Sequence, residues 1–167
     1  MKAVIFFLVF AGVYGCEQWP NGTDWASCGT KAVYYKLWPT DQNNNPEYPI
    51  HLGKPLIAHA NLTNLGSVYS NLKLSIKIYE WGGWTGCSWH ELPTFGLLTN
   101  LDACANGVKC PIPTGNQILD VTLDFSKFQS IIDLLKDNAP YQIWMQLQDV
   151  PTGDTTCVTV QARALLH

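Results

Sequence analysis

The stretch Tyr-Gln-Ile-Trp-Met-Gln-Leu-Gln-Asp, residues 141–149, decides the fold. Its apolar side chains stand at every second position from Tyr141 to Leu147, mostly with glutamines between them. This period of two is typical of a β-strand with one buried face and one face in water. Residues 72–78 and 119–125 alternate in the same way, so we predict an all-β protein.

Weaker apolar stretches and turns complete the pattern. Residues 33–37, 56–62 and 158–164 are further strand candidates, and segments rich in Asn, Gly and Pro separate the strands. Six or seven short strands with such turns favour a two-sheet β-sandwich. We expect one short helical insertion, capped by Ser126. Its apolar face would comprise Phe128, Ile131, Ile132 and Leu135.

The composition fits one domain with few charges. The chain has 167 residues, ten Lys and Arg against thirteen Asp and Glu, and a formal net charge of −3. Charged residues make up 14%, against roughly 25% in an average domain, whereas hydrophobic residues make up 47%. Because there is no basic run, the chain lacks the positive surface that nucleic-acid binding requires. This apolar content is large for a small domain.

Residues 1–15 are predicted to be a secretory signal peptide, which leaves residues 16–167 as the folded domain. Lys2 is followed by an apolar run over residues 4–12 and then by small side chains that signal peptidase accepts. Lipidation of Cys16, as in a bacterial lipoprotein, is the alternative at this end. Six cysteines behind such a segment indicate an oxidising compartment.

Two sequons agree with a secretory route through a eukaryotic cell. They are Asn21-Gly22-Thr23 and Asn61-Leu62-Thr63. In the strand candidate 56–62, Asn61 falls on the face opposite the apolar residues, so a glycan there would point into water. We therefore predict glycosylation at Asn21 and Asn61.

Three features together carry a resemblance to a known family. They are the segment Cys-Ala-Asn-Gly-Val-Lys-Cys-Pro-Ile at 104–112, the cysteines Cys28 and Cys157 near the two ends, and the stretch 141–149 that leads to Cys157. In this order and spacing they resemble the MD-2-related lipid-recognition (ML) family over residues 28–166. The resemblance implies an immunoglobulin-like sandwich whose two sheets splay apart to hold a lipid, with no cofactor.

Six cysteines allow fifteen disulfide pairings, and the residues alone do not choose among them. The resemblance implies the pairs Cys28–Cys157 and Cys104–Cys110. Cys16 and Cys87, which are additional to the family pattern, are then expected to pair with each other.

The resemblance also assigns a role to the inward faces of the strands. By themselves these faces fit the filled core that sandwiches of this size usually have. With the resemblance, the strand faces and the helical insertion are predicted to line an apolar lipid cavity. The predicted lining residues are Leu74, Ile76, Ile78, Leu119, Val121, Leu123, Phe125, Phe128, Ile131, Leu135, Tyr141, Ile143 and Met145.

Trp81, Trp84 and Trp89 lie close together in a Gly-rich segment. One interpretation is a hydrophobic rim that touches a membrane surface while lipid passes to the cavity. The alternative is that these side chains pack on a Cys16–Cys87 disulfide or cover the core.

No enzyme motif accompanies these features. The four histidines form no metal-binding motif, and no Gly-x-Ser-x-Gly sequence occurs, so we predict no catalytic and no metal-ligating residues. We expect a monomeric lipid-binding or lipid-transfer protein, secreted or endolysosomal, that holds one sterol, phospholipid or glycolipid and touches membranes transiently. The alternatives are a lipid-presenting cofactor for a hydrolase or immune receptor, which adds a protein partner, and a ligand-free immunoglobulin-like adhesion or structural domain.

Overall fold

The computed structural model describes residue 16 and residues 22–82 and 86–166. The predicted signal peptide, Asn21 and Trp84 lie outside these ranges. Within them the chain forms strands, a 3-10 turn at Phe125–Phe128 and a short helix α1 at Gln129–Ile132. The strands are β1 (Asp24–Ser27), β2 (Ala32–Thr40), β3 (Ile50–His51), β4 (Leu56–Asn64), β5 (Leu72–Trp81), β6 (Trp89–Glu91), β7 (Leu101–Asp102), β8 (Gly115–Leu123), β9 (Ala139–Asp149) and β10 (Thr155–Leu165).

The strands form two sheets that face each other. The large sheet has the order β1-β10-β9-β5-β6, with β3 pairing along β10 and β7 along β5. The small sheet has the order β2-β4-β8. Neighbours run antiparallel except β3 and β10, which pair in parallel. This confirms the predicted immunoglobulin-like β-sandwich.

The alternation read from the sequence sets which face of each strand is buried. In β5, Leu72, Leu74 and Ile78 are buried and alternate with more exposed side chains. Antiparallel pairing places Leu74 opposite Leu147 and Ile78 opposite Ile143, so the apolar residues of β5 and β9 share the inner face of the large sheet.

Three disulfides cross-link the chain. Cys28–Cys157 ties the segment before β2 to β10, Cys104–Cys110 closes a small loop, and Cys16 pairs with Cys87. The first two are the pairs that the family resemblance implied, and the third is the pair expected for the two remaining cysteines. Gly29 permits the close approach at the first disulfide, because a Cβ there would collide with the backbone nitrogen of Cys157.

The helical insertion is short, as predicted, but it begins earlier than predicted. Asp124, not Ser126, caps the 3-10 turn, and its carboxylate accepts hydrogen bonds from the backbone N–H and the hydroxyl of Ser126. Both residue types are good caps, and the sequence pattern alone does not choose between neighbours.

The interior divides into two halves along the strands. The packed half is a cluster of buried residues comprising Ala60, Leu62, Tyr69, Leu72, Leu74, Ala103, Val108, Ile112 and Leu119. The cavity half is built on a second cluster comprising Leu52, Ile78, Leu98, Ile131, Ile132, Tyr141 and Ala164. The same two sheets cover both halves.

Candidate functional site: an apolar cavity between the sheets

A cavity of about 390 Å³ lies between the two sheets in the cavity half. Sites for small molecules and cofactors usually measure roughly 300–1,000 Å³ and are lined mainly by apolar side chains. The packed half holds a space of only about 20 Å³, which is room for about one water. The cavity is therefore a feature of one half of the sandwich and not of loose packing throughout.

The two sheets supply the broad walls of the cavity. Leu56, Ala58 and Leu123 line it from the small sheet, and Ile143 and Ala162 line it from the large sheet. Leu56 and Leu123 stand directly opposite each other in the β4–β8 pairing. The walls are therefore formed by the inward positions of regular strands, whose backbone hydrogen bonds fix where these side chains lie.

One side wall is the segment between β2 and β4, which crosses from the small sheet to the large one. Ile50 and Leu52 in this segment line the cavity. β3 pairs with the end of β10, and the backbone N–H of Leu52 donates to the carbonyl of Leu165 at 2.9 Å. The crossing segment is thus anchored to the large sheet.

Further wall segments are the helical insertion and the loop after β7. Phe128, Ile131 and Leu135 contribute apolar side chains. The loop crosses between the sheets, because β7 pairs with β5 while the carbonyl of Gly107 accepts a hydrogen bond from the backbone N–H of Thr122 in β8 at 3.0 Å. Gly107 has φ +99°, and a Cβ there would collide with the carbonyl of Thr122, so this contact requires glycine.

Small side chains at inward positions create the space. Ala58 in β4 and Ala162 and Ala164 in β10 line the cavity. An alanine leaves room that a leucine would fill, and interiors otherwise pack to nearly crystalline density. The cavity volume therefore follows from the identity of a few inward residues.

Tyr141 presents its ring to the cavity and its hydroxyl to the backbone. The hydroxyl accepts from the N–H of Lys136 at 2.6 Å and donates to the carbonyl of Lys136 at 3.1 Å. Burial raises the pKa of Tyr141 above its ordinary value. The phenol stays neutral near pH 7 and contributes an apolar surface.

Polar groups occupy the border of the cavity. Among the described lining residues only Asp124 and Lys127 are charged. Asp124 is engaged by Ser126, whose side-chain and backbone hydrogen bonds lower the pKa of the Asp124 carboxyl. The polar lining residues are Thr23, Gln42, Asn106, Thr122, Asp124 and Lys127.

The structure places most of the predicted lining residues around one cavity. Those at the cavity are Leu74, Ile76, Ile78, Leu123, Phe125, Phe128, Ile131, Leu135, Tyr141, Ile143 and Met145.

For Leu119 and Val121 the prediction of a lining position was wrong. Leu119 is buried in the packed half, and Val121 packs against the same cluster. The reason is position along the strand: β8 runs from the packed half to the cavity half, and Leu123 is its last residue. Alternation assigns a face of the sheet, but it does not say how far along the sandwich a residue lies.

Sequence reasoning also missed part of the lining. Leu37 and Ile50 come from strands whose apolar alternation is weak or short. Leu98 lies in a segment whose apolar residues follow no regular strand or helix period. The alanines at inward positions of β4 and β10 were the sequence signal for a cavity, since small residues on facing strands leave space. The periodicity of the strands carries no information about side-chain volume.

Trp81 and Trp89 lie on the outer face of the large sheet. They stand directly opposite each other in the β5–β6 pairing, with ring centroids 5.0 Å apart. Neither is among the described residues that line the cavity. Their contact with a membrane stays a prediction, and Trp84 lies outside the described residues.

A histidine network on the outer face of the small sheet resembles catalytic geometry but does not offer it. His59 Nδ1 lies 2.7 Å from Asp120 Oδ1, and His59 Nε2 lies 2.9 Å from Thr40 Oγ1. Thr40 is only 4% exposed and its hydroxyl donates to the carbonyl of Asp41. Because a nucleophile must reach its substrate, this network is better suited to joining the three strands of the small sheet.

The described part of the chain contains no group of three or more His, Cys, Asp or Glu side chains that could hold a metal ion. None of its helices is both long enough and apolar enough to cross a membrane.

Fold and cavity together define a class, that of all-β, immunoglobulin-like sandwiches with an apolar cavity between the sheets. No protein-family model matches the sequence, and no curated protein matches it significantly. Among solved structures, the chain is similar to a Niemann-Pick type C2 protein from the Japanese carpenter ant. The two share 15% identity with a TM-score of 0.49, over 84% of this chain and 98% of that one. Function is therefore inferred from the cavity itself.

Proposed function

We propose that this protein is a non-enzymatic lipid-binding protein of the ML type that holds the apolar part of one lipid between its sheets. The observation that carries the proposal is the apolar cavity of about 390 Å³. The sequence features that resemble the ML family support it independently. Transfer of a lipid chain or ring system from water to this cavity is favoured by roughly 25 cal/mol per Å² of apolar surface buried.

The border of the cavity suits an amphiphile. Apolar side chains line the interior, whereas Asp124 and Lys127 are the charged residues among the described lining. A lipid headgroup left at this border keeps its contact with water and avoids the cost of burying a polar group. Sterol, phospholipid and glycolipid all have this division between an apolar body and a polar head.

We further propose secretion or delivery to an endolysosomal lumen, with a monomer as the working form. Three disulfides support an oxidising compartment, because such bonds persist outside the cytosol. The alternative role as a lipid-presenting cofactor adds a protein partner to the same cavity. The ligand-free adhesion or structural domain predicts that no lipid enters it.

Native mass spectrometry tests the proposal. The protein would be secreted from eukaryotic cells, trimmed of glycans and measured before and after organic extraction. We expect a mass excess of one lipid that extraction removes and identifies. A protein without bound lipid that also takes up no sterol, phospholipid or glycolipid from a panel would refute the lipid role and favour the adhesion domain.

A charge placed in the cavity gives a second test. Leu123→Asp puts a carboxylate at a lining position, where an unpaired charge is costly, and we expect lipid binding at least tenfold weaker. Ile118→Asp is the matched control, because Ile118 lies on the same strand but is 60% exposed. Circular dichroism would establish that both variants fold. Equal lipid uptake by the two variants would contradict the assigned site.

A further inference from the structure

The outer face of the small sheet exposes three apolar or aromatic side chains. Val33 is 42%, Tyr35 is 55% and Ile118 is 60% exposed. The solvent face of an antiparallel sheet is ordinarily polar. These three residues are therefore an apolar patch, which we call the outer patch.

The sequon Asn61-Leu62-Thr63 lies in the middle of the outer patch. Asn61 in the central strand β4 stands opposite Lys36 of β2 and Ile118 of β8. Val33 stands opposite Thr63 in the same way.

Tyr35 reaches the sequon from a bulge in β2. The register between β2 and β4 shifts between Tyr34 and Lys36, so Tyr35 is the extra residue of the bulge. Its hydroxyl lies 3.1 Å from Thr63 Oγ1. The outer patch therefore flanks the sequon from both neighbouring strands.

Ile118 also lies on a sheet edge. β8 is an edge strand of the small sheet. The loop after β7 covers its last residues, where Val108 bridges to Val121. Among the described strands, none pairs with β8 on that side at Ile118. An edge with an exposed apolar side chain is a template for pairing with another chain.

We propose that an N-linked oligosaccharide on Asn61 covers the outer patch and prevents a second copy of the protein from pairing with the edge of β8. The first sugars pack their C–H faces on Ile118, which stands opposite the attachment point, and on the ring of Tyr35, whose hydroxyl lies beside Thr63. A bulky, hydrated group at this position solubilises the face and blocks approach to the edge.

This inference rests on passage through a glycosylating secretory route and not on lipid binding. Asn61 and Ile118 are on the outer face of the small sheet, whereas the lining residues are on its inner face. A failure of one proposal is therefore distinguishable from a failure of the other. Lipid uptake measured on the same samples separates them.

The experiment compares four proteins secreted from eukaryotic cells: wild type, Asn61→Gln, Thr63→Ser and the double variant Asn61→Gln/Ile118→Thr. Thr63→Ser is the matched control because it keeps the sequon and the hydroxyl. Intact mass reports occupancy of Asn61, and sedimentation velocity over a range of concentrations reports self-association.

We expect sugar at Asn61 and a monomer in wild type and Thr63→Ser. Asn61→Gln should self-associate as its concentration rises, and the added Ile118→Thr should restore the monomer. An unmodified Asn61 in the wild type would overturn the proposal. So would a double variant that associates as strongly as Asn61→Gln.

Enzymatic removal of the glycan from folded wild type tests the contact without a substitution, which matters if Asn61→Gln fails to fold. Hydroxyl-radical footprinting then reports the exposure of Tyr35. We expect Tyr35 to become several-fold more reactive after removal, with self-association as in Asn61→Gln. Unchanged reactivity together with an unchanged monomer would overturn the covering role.

Discussion

The packed half and the cavity half are built from the same strands but differ in how much of the space between the sheets is filled. Ala162 and Ala164 of β10 leave room in the cavity half. Tyr69 and Ile112 from loops add bulk to the packed half. Both halves are apolar, so the difference lies in volume and not in polarity. A sandwich can thus fold on one half and keep space for a ligand in the other.

Polar anchoring also differs between the halves. In the packed half, the Tyr69 hydroxyl donates to Asp154 at 2.9 Å, and Lys31 pairs with the same carboxylate at 3.0 Å. Burial and the hydrogen bond to Asp154 raise the pKa of Tyr69 to about 12. In the cavity half, Tyr141 is satisfied by backbone groups of Lys136 instead.

Truncations in the two halves should cost different amounts of stability. Leu72 is 2% exposed in the packed half, and Leu72→Ala should lower the free energy of unfolding by about 3 kcal/mol, since it creates a new void. Ile143 already borders the cavity, so Ile143→Ala should cost less, about 2 kcal/mol. Denaturant unfolding measures both values. Equal losses would mean that the cavity half is packed as tightly as the other half.

Filling the cavity should separate stability from binding. Ala162→Phe places an aromatic ring in the cavity, and it should raise the free energy of unfolding by about 0.5–2 kcal/mol, because it buries apolar surface without displacing packed neighbours. The same variant should lose most of its lipid uptake.

Ala60→Phe is the matched control for this substitution. Ala60 belongs to the packed half, where an added ring has no room and should destabilise the fold. Full lipid uptake by Ala162→Phe would place the ligand elsewhere.

The smallest expected effect concerns acid stability of the packed half. Hydrogen bonds from Lys31 and Tyr69 lower the pKa of Asp154 below its ordinary value. The ionised carboxylate therefore stabilises the fold above the unfolded pKa, near 3.8, and this contribution is lost as the pH falls through the lower folded pKa.

Asp154→Asn should consequently flatten the loss of stability between about pH 5 and pH 2. Unfolding midpoints across this range measure it. Lys31→Met, which removes the main partner, should act in the same direction. An acid profile identical to that of wild type in both variants would show that Asp154 has no part in acid unfolding.

The sequence predicted the fold and the inner faces of its long strands because a period of two has a direct structural cause. Successive strand side chains point to opposite faces, so Ile76 and Met145 had to face inward together. The resemblance contributed the expectation of a cavity, which alternation alone does not distinguish from a filled core.

Other parts of the site depend on contacts that leave no periodic signal. Leu98 lies in a segment that is held by single backbone hydrogen bonds. In one of them the N–H of Ile76 donates to the carbonyl of Leu98. Leu119 was assigned to the right face but to the wrong half. The depth of a residue along a sandwich depends on strand register, which only the pairing of neighbouring strands defines.

The two segments that cross between the sheets have a mechanical consequence. On one side, β3 pairs with the end of β10; on the other, the loop after β7 contacts β8 at Gly107. With a chain segment crossing on each flank, the two sheets are tied together on both sides of the cavity. Widening the cavity by moving the sheets apart would have to break these contacts. Substitution of inward side chains such as Ala58 and Ala162 would change the cavity volume without breaking them.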